Sequence, residues 1–330
     1  MPSLRVRPRA PFDFEATARF FRFTEAEIVD DFEAGAYARA LHVGGKLLLL
    51  KVSSEGTPSR PRLSVSLSPP DTASPSDGAA AGAAPREALL DARRLARRML
   101  SVDHDLKSFR AQLAGDPFMS GLEEAHRGLH LPRWPTLFES LANSILLQQI
   151  ATPVAWTLRR RLVERFGERL IVGGKKFYAF PRPPSLARSR AEELRALGLS
   201  GAKAQSLVEL ARAAESGALD GEALAREDNE TIIAGLTSLR GVGRWTAEWV
   251  LMLHFGRTDV YAAADLFLRG AVVKYYNGGR AMTEREVREF ARALWAGWQS
   301  YAALYLLAGM RAGTVTLKPE RVLSSAKIGA

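Results

Sequence analysis

Two tryptophans and an aspartate in the C-terminal half are the side chains best suited to chemistry. Trp245 and Trp249 are four residues apart, so on a helix they share one face. Asp265 follows and directly precedes the apolar run LFLRGAVVKYY. Electron-rich aromatic rings attract flat cationic groups, and a fixed carboxylate stabilises positive charge that develops in a transition state. These residue types could therefore bind a planar cation and stabilise a reaction beside it.

Each of these side chains also has an ordinary structural interpretation. Trp245 and Trp249 could simply pack in a core, and Asp265 is well placed to cap the helix that follows it. Capping and catalysis are compatible for Asp265, because a helix N-terminus favours the ionised carboxylate. Asp259 is the rival carboxylate, and we expect it to cap or pair structurally.

The stretch LRGVGRWTAEW places Gly241 and Gly243 around a valine where a helix is predicted to begin. Glycines permit positive φ angles and close approach of another backbone. The free N–H groups at a helix N-terminus carry the positive end of its dipole, which makes them a phosphate seat. Val242 is predicted to fix the turn in the core. An ordinary helical connection with a glycine C-cap would give the same local pattern.

Hydrophobic periodicity predicts a mostly α-helical body over residues 101–330 behind an N-terminal α+β domain over residues 1–100. In that domain, AYARALHV and KLLLLKVSS flank Gly44-Gly45 and predict a β-hairpin, and RLSVSLS predicts a third strand. Residues 69–85 have the composition of a flexible surface loop, and REALLDARRLARRML is an amphipathic helix.

The segments after residue 100 follow one pattern of cap, amphipathic run and glycine stop. TPVAWTLRRRLVERFG is predicted to use Thr152 as its N-cap, Pro153 as its first helical residue and Gly167 as its stop. TEREVREFARALWAGWQSYAALYLLAG is predicted as another such run. No fixed-period repeat is present.

Composition narrows the class of protein. The 330 residues include 46 Lys and Arg against 36 Asp and Glu, a formal net charge of +10, which favours nucleic acid or an anionic membrane as partner. The chain has no cysteine, which excludes disulfides, thiolate catalysis and cysteine-ligated iron–sulfur clusters. The N-terminus lacks a signal-peptide core, and the longest apolar stretch, near Tyr301–Met310, is about half a membrane span. We therefore expect a cytoplasmic protein without membrane contact.

The longer pattern L-x-x-L-x-G-V-G-x-x-T-A over residues 236–247 resembles the helix–hairpin–helix element, a sequence-independent clamp on the DNA backbone. Together with TDVYAAADLFLRGAV, it resembles the HhH-GPD superfamily of DNA base-excision glycosylases. LFESLANSILLQQIATPVAWTLRRRLVERFG and LRALGLSGAKAQSLVELA are similar to other family segments. WAGWQSYAALYLLAG resembles the W-x-S-Y-A helix of the DNA-3-methyladenine glycosylase II branch. The loop VYAAAD lacks the proline of many members.

This resemblance covers most of the chain and implies two helical subdomains preceded by a small antiparallel sheet domain. It assigns catalysis to Asp265 and a base pocket to Trp245, Trp249 and Tyr301. Leu307 stands where well-known members carry a further pocket aromatic. Bifunctional members have a nucleophilic lysine at the position of Trp245, so the resemblance implies a monofunctional enzyme that uses water and leaves an abasic site.

The resemblance also implies a set of DNA contacts. Gln148-Gln149-Ile150, here named the wedge loop, matches a loop that fills the gap left by a flipped nucleotide, with Gln149 at its tip; loop glutamines can equally just cap or be solvated. The other implied contacts are Arg240, Gly241, Val242, Gly243, Arg244 and Thr246. Main-chain carbonyls of Thr237, Leu239 and Val242 match those that hold Na⁺ or K⁺ in relatives.

The leading hypothesis is a monomeric, monofunctional DNA glycosylase that needs no cofactor and excises alkylated purines such as 3-methyladenine and 7-methylguanine from double-stranded DNA. One alternative is a glycosylase for other damaged bases, such as ethenoadenine or hypoxanthine. Another is a non-catalytic protein that only binds damaged DNA, which the retained Asp265 disfavours. The absence of the lysine and of cysteine argues against the 8-oxoguanine lyase and iron–sulfur branches.

Overall fold

A five-stranded antiparallel sheet lies in the N-terminal part of the chain. The computed structural model describes residues 2–22, 24, 27–71 and 86–317, and the strand order in space is β1-β5-β4-β3-β2. The strands are β1 Ser3–Val6, β2 Asp30–Glu33, β3 Ala36–Val43, β4 Lys46–Ser54 and β5 Leu63–Ser68. The predicted hairpin is confirmed, since Val43 pairs with Lys46 across the Gly44-Gly45 turn. Strands β1 and β2 escape prediction because four residues are too few to show alternation.

Two short helices and one long one accompany the sheet and lead into the body. They are α1 Phe14–Arg19, α2 Arg86–Met99 and α3 Leu106–Gln112. Helix α2 confirms the predicted amphipathic helix and packs across the sheet, where Ala88, Leu89 and Ala92 share a core with Leu50 and Val65. Of the loop predicted at 69–85, residues 72–85 lie outside the described residues.

The body is helical around one buried helix. It contains α4 Pro117–Ala125, α5 Leu137–Leu147, α6 Thr152–Phe166, α7 Pro183–Ala187, α8 Ala191–Arg195, α9 Gly201–Glu215, α10 Gly221–Leu224, α11 Asn229–Thr237, α12 Arg244–Val250, α13 Leu266–Tyr276, α14 Glu284–Leu294 and α15 Gln299–Arg311. Helix α12 continues into a turn of π-helix, Leu251–Phe255. Every residue of α5 except Leu147 is buried, because α6, α9 and α12 pack around it. The C-terminal end of α5 is therefore a rigid support for the wedge loop.

The N-terminus of α6 differs from its prediction. Ala151, rather than Thr152, is the N-cap residue, and no side chain makes a capping hydrogen bond. Pro153 lies in the first turn, where its missing N–H leaves no donor unsatisfied, so the helix can begin without a side-chain cap. Gly167 ends the helix as predicted.

Two further segments depart from the prediction of uninterrupted amphipathic helices. The run from Thr283 to Gly309 forms α14 and α15 with a break between them, where Gly297 has a φ of +76°. Strands β6 Arg169–Val172 and β7 Lys175–Tyr178 form a small hairpin whose apolar side chains pack with Ala38 and Leu49 of the large sheet. A hairpin of this length is stable only when it packs on another layer.

The sheet and the helical body share buried residues. Phe20 and Val29 belong to the core of the body, whereas Trp134 and Trp156 of the body lie in the core beneath the sheet. The boundary at residue 100 stays a prediction. No helix in the described ranges is long and apolar enough to cross a membrane.

Candidate active site

The connection between α11 and α12 has the geometry of a tight hairpin seated on α9. Gly241 has a φ of +77°, and a Cβ there would lie 2.3 Å from Ser206 Oγ, so only glycine fits. Gly243 has a φ of −96° and is the N-cap of α12, and a Cβ there would meet open space. Its small size therefore leaves the helix entrance open to a group from outside the chain. Val242 is 5% exposed and fixes the turn in the core.

A cleft of about 840 Å³ lies between this hairpin, the wedge loop and the start of α13. Its lining residues are Leu147, Gln148, Gln149, Ile150, Ala151, Gly243, Trp245, Thr246, Ala264, Asp265, Leu266 and Phe267. Three parts of the chain far apart in sequence thus meet around one cavity. The volume is in the range of pockets that enclose a small molecule.

Asp265 is held in the cleft by hydrogen bonds to both of its carboxylate oxygens. It is the N-cap of α13, where Oδ1 accepts the N–H groups of Phe267 at 3.0 Å and Leu268 at 3.1 Å. Its Oδ2 accepts the indole N–H of Trp245 at 3.2 Å. Capping and a cleft position coincide, as the sequence allows. The carboxylate is therefore oriented before any ligand binds.

The two tryptophans of α12 contact each other but lie at different depths. Their rings meet edge to face with centroids 6.2 Å apart. Trp245 lines the cleft, whereas Trp249 is not among the lining residues and packs against the core of the body. Trp249 thus supports the ring of Trp245 from behind and does not form a second wall of the cleft.

The structure does not bring Tyr301 or Leu307 to the cleft. Tyr301 has no exposed surface, and its hydroxyl lies 2.8 Å from His104 Nδ1 and accepts the Leu131 N–H at 3.4 Å. Burial raises the pKa of this hydroxyl. Leu307 is half-buried and packs against the core. The physical reason is that α15 lies inside the body, so its W-x-S-Y-A pattern serves packing.

The wedge loop lines the cleft opposite Asp265, but its first two residues differ in role. Gln149 is exposed and has a φ of +55°, an uncommon conformation for a residue with a side chain. Gln148 is half-buried, and its side-chain amide donates to Gly241 O at 2.8 Å and Thr246 Oγ1 at 2.9 Å. Thr246 is 1% exposed. Of these three residues, only Gln149 is free to reach a large ligand.

The two arginines of the hairpin are placed differently from each other. The side chain of Arg240 is 59% exposed, and its closest described carboxylate, on Glu209, is 3.8 Å away. Arg244 instead donates to both carboxylate oxygens of Glu230, at 3.0 and 2.5 Å, and to Glu248 at 3.1 Å. The hydrogen bonds with Glu230 raise the pKa of Arg244. Of these two predicted phosphate contacts, Arg244 ties α12 to α11, while Arg240 stays available to an anion.

The predicted cation ligands are partly available. Leu239 O accepts the Val242 N–H at 3.1 Å, whereas in the described part of the chain neither Thr237 O nor Val242 O accepts a backbone hydrogen bond from outside a helix. Carbonyl oxygens of this kind suit a hard cation. Leu239 O is therefore engaged in the turn, and a monovalent cation at this hairpin stays a prediction.

Sequence reasoning missed an apolar part of the cleft. Leu266 lines the cleft and is 75% exposed, and Phe267 and Ala151 line it too. Leu266 reads as one more apolar position in the run that begins α13. Its exposure could have been signalled only by its place directly after the N-cap Asp265, at the N-terminal end of α13.

A glycine hairpin that presents a helix N-terminus beside a helix-capping aspartate and a wedge loop defines the helix–hairpin–helix class of base-excision proteins. The model of the HhH-GPD superfamily of base excision DNA repair proteins matches residues 142–297, and that of the AlkA N-terminal domain matches residues 3–135. The chain belongs to the HhH-GPD superfamily. Its N-terminal sheet and its W-x-S-Y-A helix agree with the DNA-3-methyladenine glycosylase II branch.

Individual relatives agree with this membership. A DNA-3-methyladenine glycosylase of Bacillus subtilis is 31% identical over 205 residues, which cover 62% of this chain and 67% of the relative. The structure of the 3-methyladenine DNA glycosylase of Archaeoglobus fulgidus superimposes with a TM-score of 0.79 at 27% identity, covering 94% of this chain and 100% of that one. A 3-methyladenine DNA glycosylase of Schizosaccharomyces pombe bound to abasic DNA is 25% identical with a TM-score of 0.54, over 64% of this chain and 100% of that one.

Proposed function

We propose that this chain is a monofunctional DNA glycosylase that flips alkylated purines out of double-stranded DNA and hydrolyses their N-glycosidic bond, leaving an abasic site. The observation that carries the proposal is the carboxylate of Asp265, fixed in a cleft between a helix–hairpin–helix turn and a wedge loop. The named relatives are DNA-3-methyladenine glycosylases, which supports the choice of substrate.

Asp265 acts on the charge that develops in the sugar. Cleavage of the glycosidic bond makes the deoxyribose oxocarbenium-like, and a carboxylate fixed beside it stabilises that charge or orients the attacking water. Because Trp245 and the α13 amides already hold the carboxylate in place, little reorganisation is needed during the reaction. Such pre-orientation of a charged group makes electrostatic catalysis effective.

The lining of the cleft supports hydrolysis without strand cleavage. Strand cleavage needs an amine that attacks the sugar, and none of the described cleft residues is a lysine. Lys203 approaches the wedge-loop end of α5, but its Nζ donates to Leu146 O at 2.8 Å and does not line the cleft. Water is therefore the nucleophile.

Trp245 receives the extruded base. A cationic alkylated purine over the indole face gains about 0.5–2 kcal/mol of cation–π attraction. This gain is small, so selectivity also rests on the ease with which a positively charged base leaves. Leu266 adds an exposed apolar surface at the same cleft.

DNA is held through its backbone and opened by the wedge loop. The hairpin presents the N-terminus of α12 at Gly243, where free amides bind a phosphate, and Arg240 adds a second contact. Gln149 fills the gap left by the flipped nucleotide and so offsets an unstacking cost of a few kcal/mol. The carbonyls of Thr237, Leu239 and Val242 would hold a monovalent cation, which would supply additional positive charge at the hairpin. The protein acts as a cytoplasmic monomer, requires no cofactor and does not contact membranes.

The experiment that tests this function measures base release. Duplexes with 3-methyladenine, 7-methylguanine, ethenoadenine or hypoxanthine are incubated with the protein, and free base and strand cleavage are quantified separately. We expect release of the methylated purines and strand breaks only after alkali treatment. Release of no base from any duplex would refute the enzymatic function, and a covalent complex trapped by borohydride would refute the monofunctional mechanism.

Arg240→Ala is expected to weaken DNA binding by removing one phosphate contact. The slope of log K against log salt concentration should become shallower by about 1, with little change in melting temperature. Arg244→Ala is the matched comparison. Because Arg244 pairs with Glu230 and Glu248, the main effect of this substitution should be a lower melting temperature. An unchanged salt slope for Arg240→Ala would exclude this contact.

A further inference from the structure

The wedge loop has few backbone hydrogen bonds to hold it in place. Between α5 and α6, the Gln148 N–H donates to Ile145 O at 3.3 Å, and the next bonds, from Val154 and Ala155 to Ala151 O, already belong to α6. Gln149 between them has a positive φ. The position of this loop therefore depends on side chains that tie it to its surroundings.

The side chain of Gln148 is such a tie. Its Nε2 donates to Gly241 O and to Thr246 Oγ1, two acceptors that lie on either side of the N-terminus of α12. One acceptor is a carbonyl of the hairpin turn, and the other is a buried hydroxyl in the first turn of the helix. The amide thus connects the loop directly to the element proposed to bind the DNA backbone.

Helix α9 completes this arrangement from the other side. Lys203 holds the last turn of α5 through Leu146 O, and one turn later Ser206 lies directly under Gly241. The end of α5, the hairpin and α9 are thereby connected in a closed triangle. Gln148 provides the side of the triangle between the wedge loop and the hairpin.

We propose that Gln148 is a positioning residue that fixes the wedge loop relative to the hairpin, so that docking of the hairpin on a phosphate places Gln149 at the stack. This inference rests on the proposed glycosylase function. Gln148 acts through Gly241 and Thr246 and leaves contact with the DNA to its neighbour.

Glutamine is the residue type that this position requires. Its terminal amide has two N–H donors, which match the carbonyl of Gly241 and the hydroxyl of Thr246. A glutamate of the same shape has no donor when ionised and would turn its charge toward the carbonyl oxygen. Alanine removes the tie without adding charge. The pair Gln148→Glu and Gln148→Ala therefore separates loss of the tie from repulsion at the same place.

The test places a methylated purine in two duplexes that differ in how firmly the damaged nucleotide is stacked. Single-turnover excision is measured on a duplex with the lesion paired and on one with the lesion in a small bulge, where flipping costs less. For both Gln148 variants we expect the rate on the paired lesion to fall between about tenfold and about a hundredfold, with a much smaller loss on the bulge. Gln148→Glu should be the slower of the two. Melting temperatures of the variants show whether the fold is kept.

Thr246→Val gives the partner test, because it removes one acceptor and keeps the shape of the side chain. We expect it to reproduce part of the loss in excision rate that Gln148→Ala causes on the paired lesion. The double variant with Gln148→Ala and Thr246→Val should lose less than the product of the two single losses. Fluorescence of 2-aminopurine beside the lesion should show a slower rise in the Gln148 variants, as expected if insertion is delayed.

The failures of the two proposals are distinguishable. If the wild-type protein releases no base from either duplex, the glycosylase function itself is wrong. If the wild type is active but the Gln148 variants lose nothing, or lose the same factor on paired and bulged lesions, the positioning role is wrong.

Discussion

Asp265→Asn is expected to abolish excision, lowering the single-turnover rate on a methylated purine by at least about 10²- to 10³-fold. Asparagine keeps the shape of the side chain and caps a helix as well as aspartate does, so the bonds to Phe267 and Leu268 can persist. What is lost is the negative charge beside the sugar. The single amide oxygen then caps α13, so the amide NH₂ faces the indole N–H of Trp245 and that hydrogen bond is lost too. The change therefore removes the charge and the bond to Trp245 while it keeps the cap of α13.

Asp259→Asn is the matched control for this prediction. Asp259 is exposed and does not line the cleft, so the same change in charge there should leave the excision rate within about twofold of the wild-type rate. The two variants should bind DNA with similar affinity, since long-range charge effects are screened by salt. The assay is release of free base, with melting temperature as the check on folding. An Asp265→Asn protein that keeps more than a tenth of the wild-type rate would remove Asp265 from the mechanism.

The parts of the site that could be predicted are those encoded locally. The glycine at 241, the tryptophans four residues apart and the capping aspartate each follow from short-range rules, and the structure places the hairpin, Trp245 and Asp265 around one cleft. The hairpin β3–β4 was predictable for the same reason, since its turn and alternation are written in consecutive residues. The sequence pattern predicts the position of a residue correctly where that position is set by residues a few places away in the chain.

What could not be predicted depends on contacts between distant residues. Gln148 and Gly241 are 93 positions apart, and nothing in a run of glutamines shows that one is tied and the next is free. Tyr301 has the residue type of a pocket wall, but helices from other parts of the chain cover it. Arg244 has the same flanking position as Arg240, and only the arrangement of α11 brings Glu230 to it.

The largest unpredicted feature is a buried ionic cluster that joins the sheet to the body. Arg39 of β3 donates to Asp30 at 2.7 Å and to Glu139 of α5 at 2.6 Å. Arg159 of α6 donates to Glu27 at 2.6 Å and to Glu139 at 3.1 Å. These side chains are at most 2% exposed. The cluster fixes the same two helices, α5 and α6, that carry the wedge loop between them.

Three carboxylates share two guanidinium groups in this cluster, so a site buried from solvent carries excess negative charge. Burial raises the pKa of Asp30 to about 6, although Arg39 and Arg159 oppose the shift. Burial also acts to raise the pKa of Glu27, but the charge and hydrogen bonds of Arg159 hold it below its ordinary value. Arg159 is therefore the group that keeps Glu27 ionised, and it adds to the effect of Arg39 on Asp30.

Arg159→Met is expected to lower the free energy of unfolding by about 3–5 kcal/mol at pH 8, because removing one partner leaves buried charges uncompensated. Methionine keeps much of the apolar contact with Trp134 and Trp156, so the loss is mainly electrostatic. Urea denaturation measures the loss. The neighbouring Arg160→Met is the control, since Arg160 makes an exposed pair with Glu164 and its replacement should change stability by less than about 1 kcal/mol.

The pH dependence of this loss separates charge from packing. In the wild type, Glu27 has a lowered pKa, so its contribution to stability is present above its unfolded pKa and is lost only when the pH falls through the folded value. In Arg159→Met, Glu27 lacks its cation while Asp30 keeps Arg39. Burial then raises the folded pKa of Glu27 above the unfolded one, so the stability of the variant decreases as the pH rises. The difference between the two proteins should therefore be larger at pH 8 than at pH 5. A loss that is the same at both pH values would mean that Arg159 contributes through its packing on the tryptophans and that the cluster does not depend on its charge.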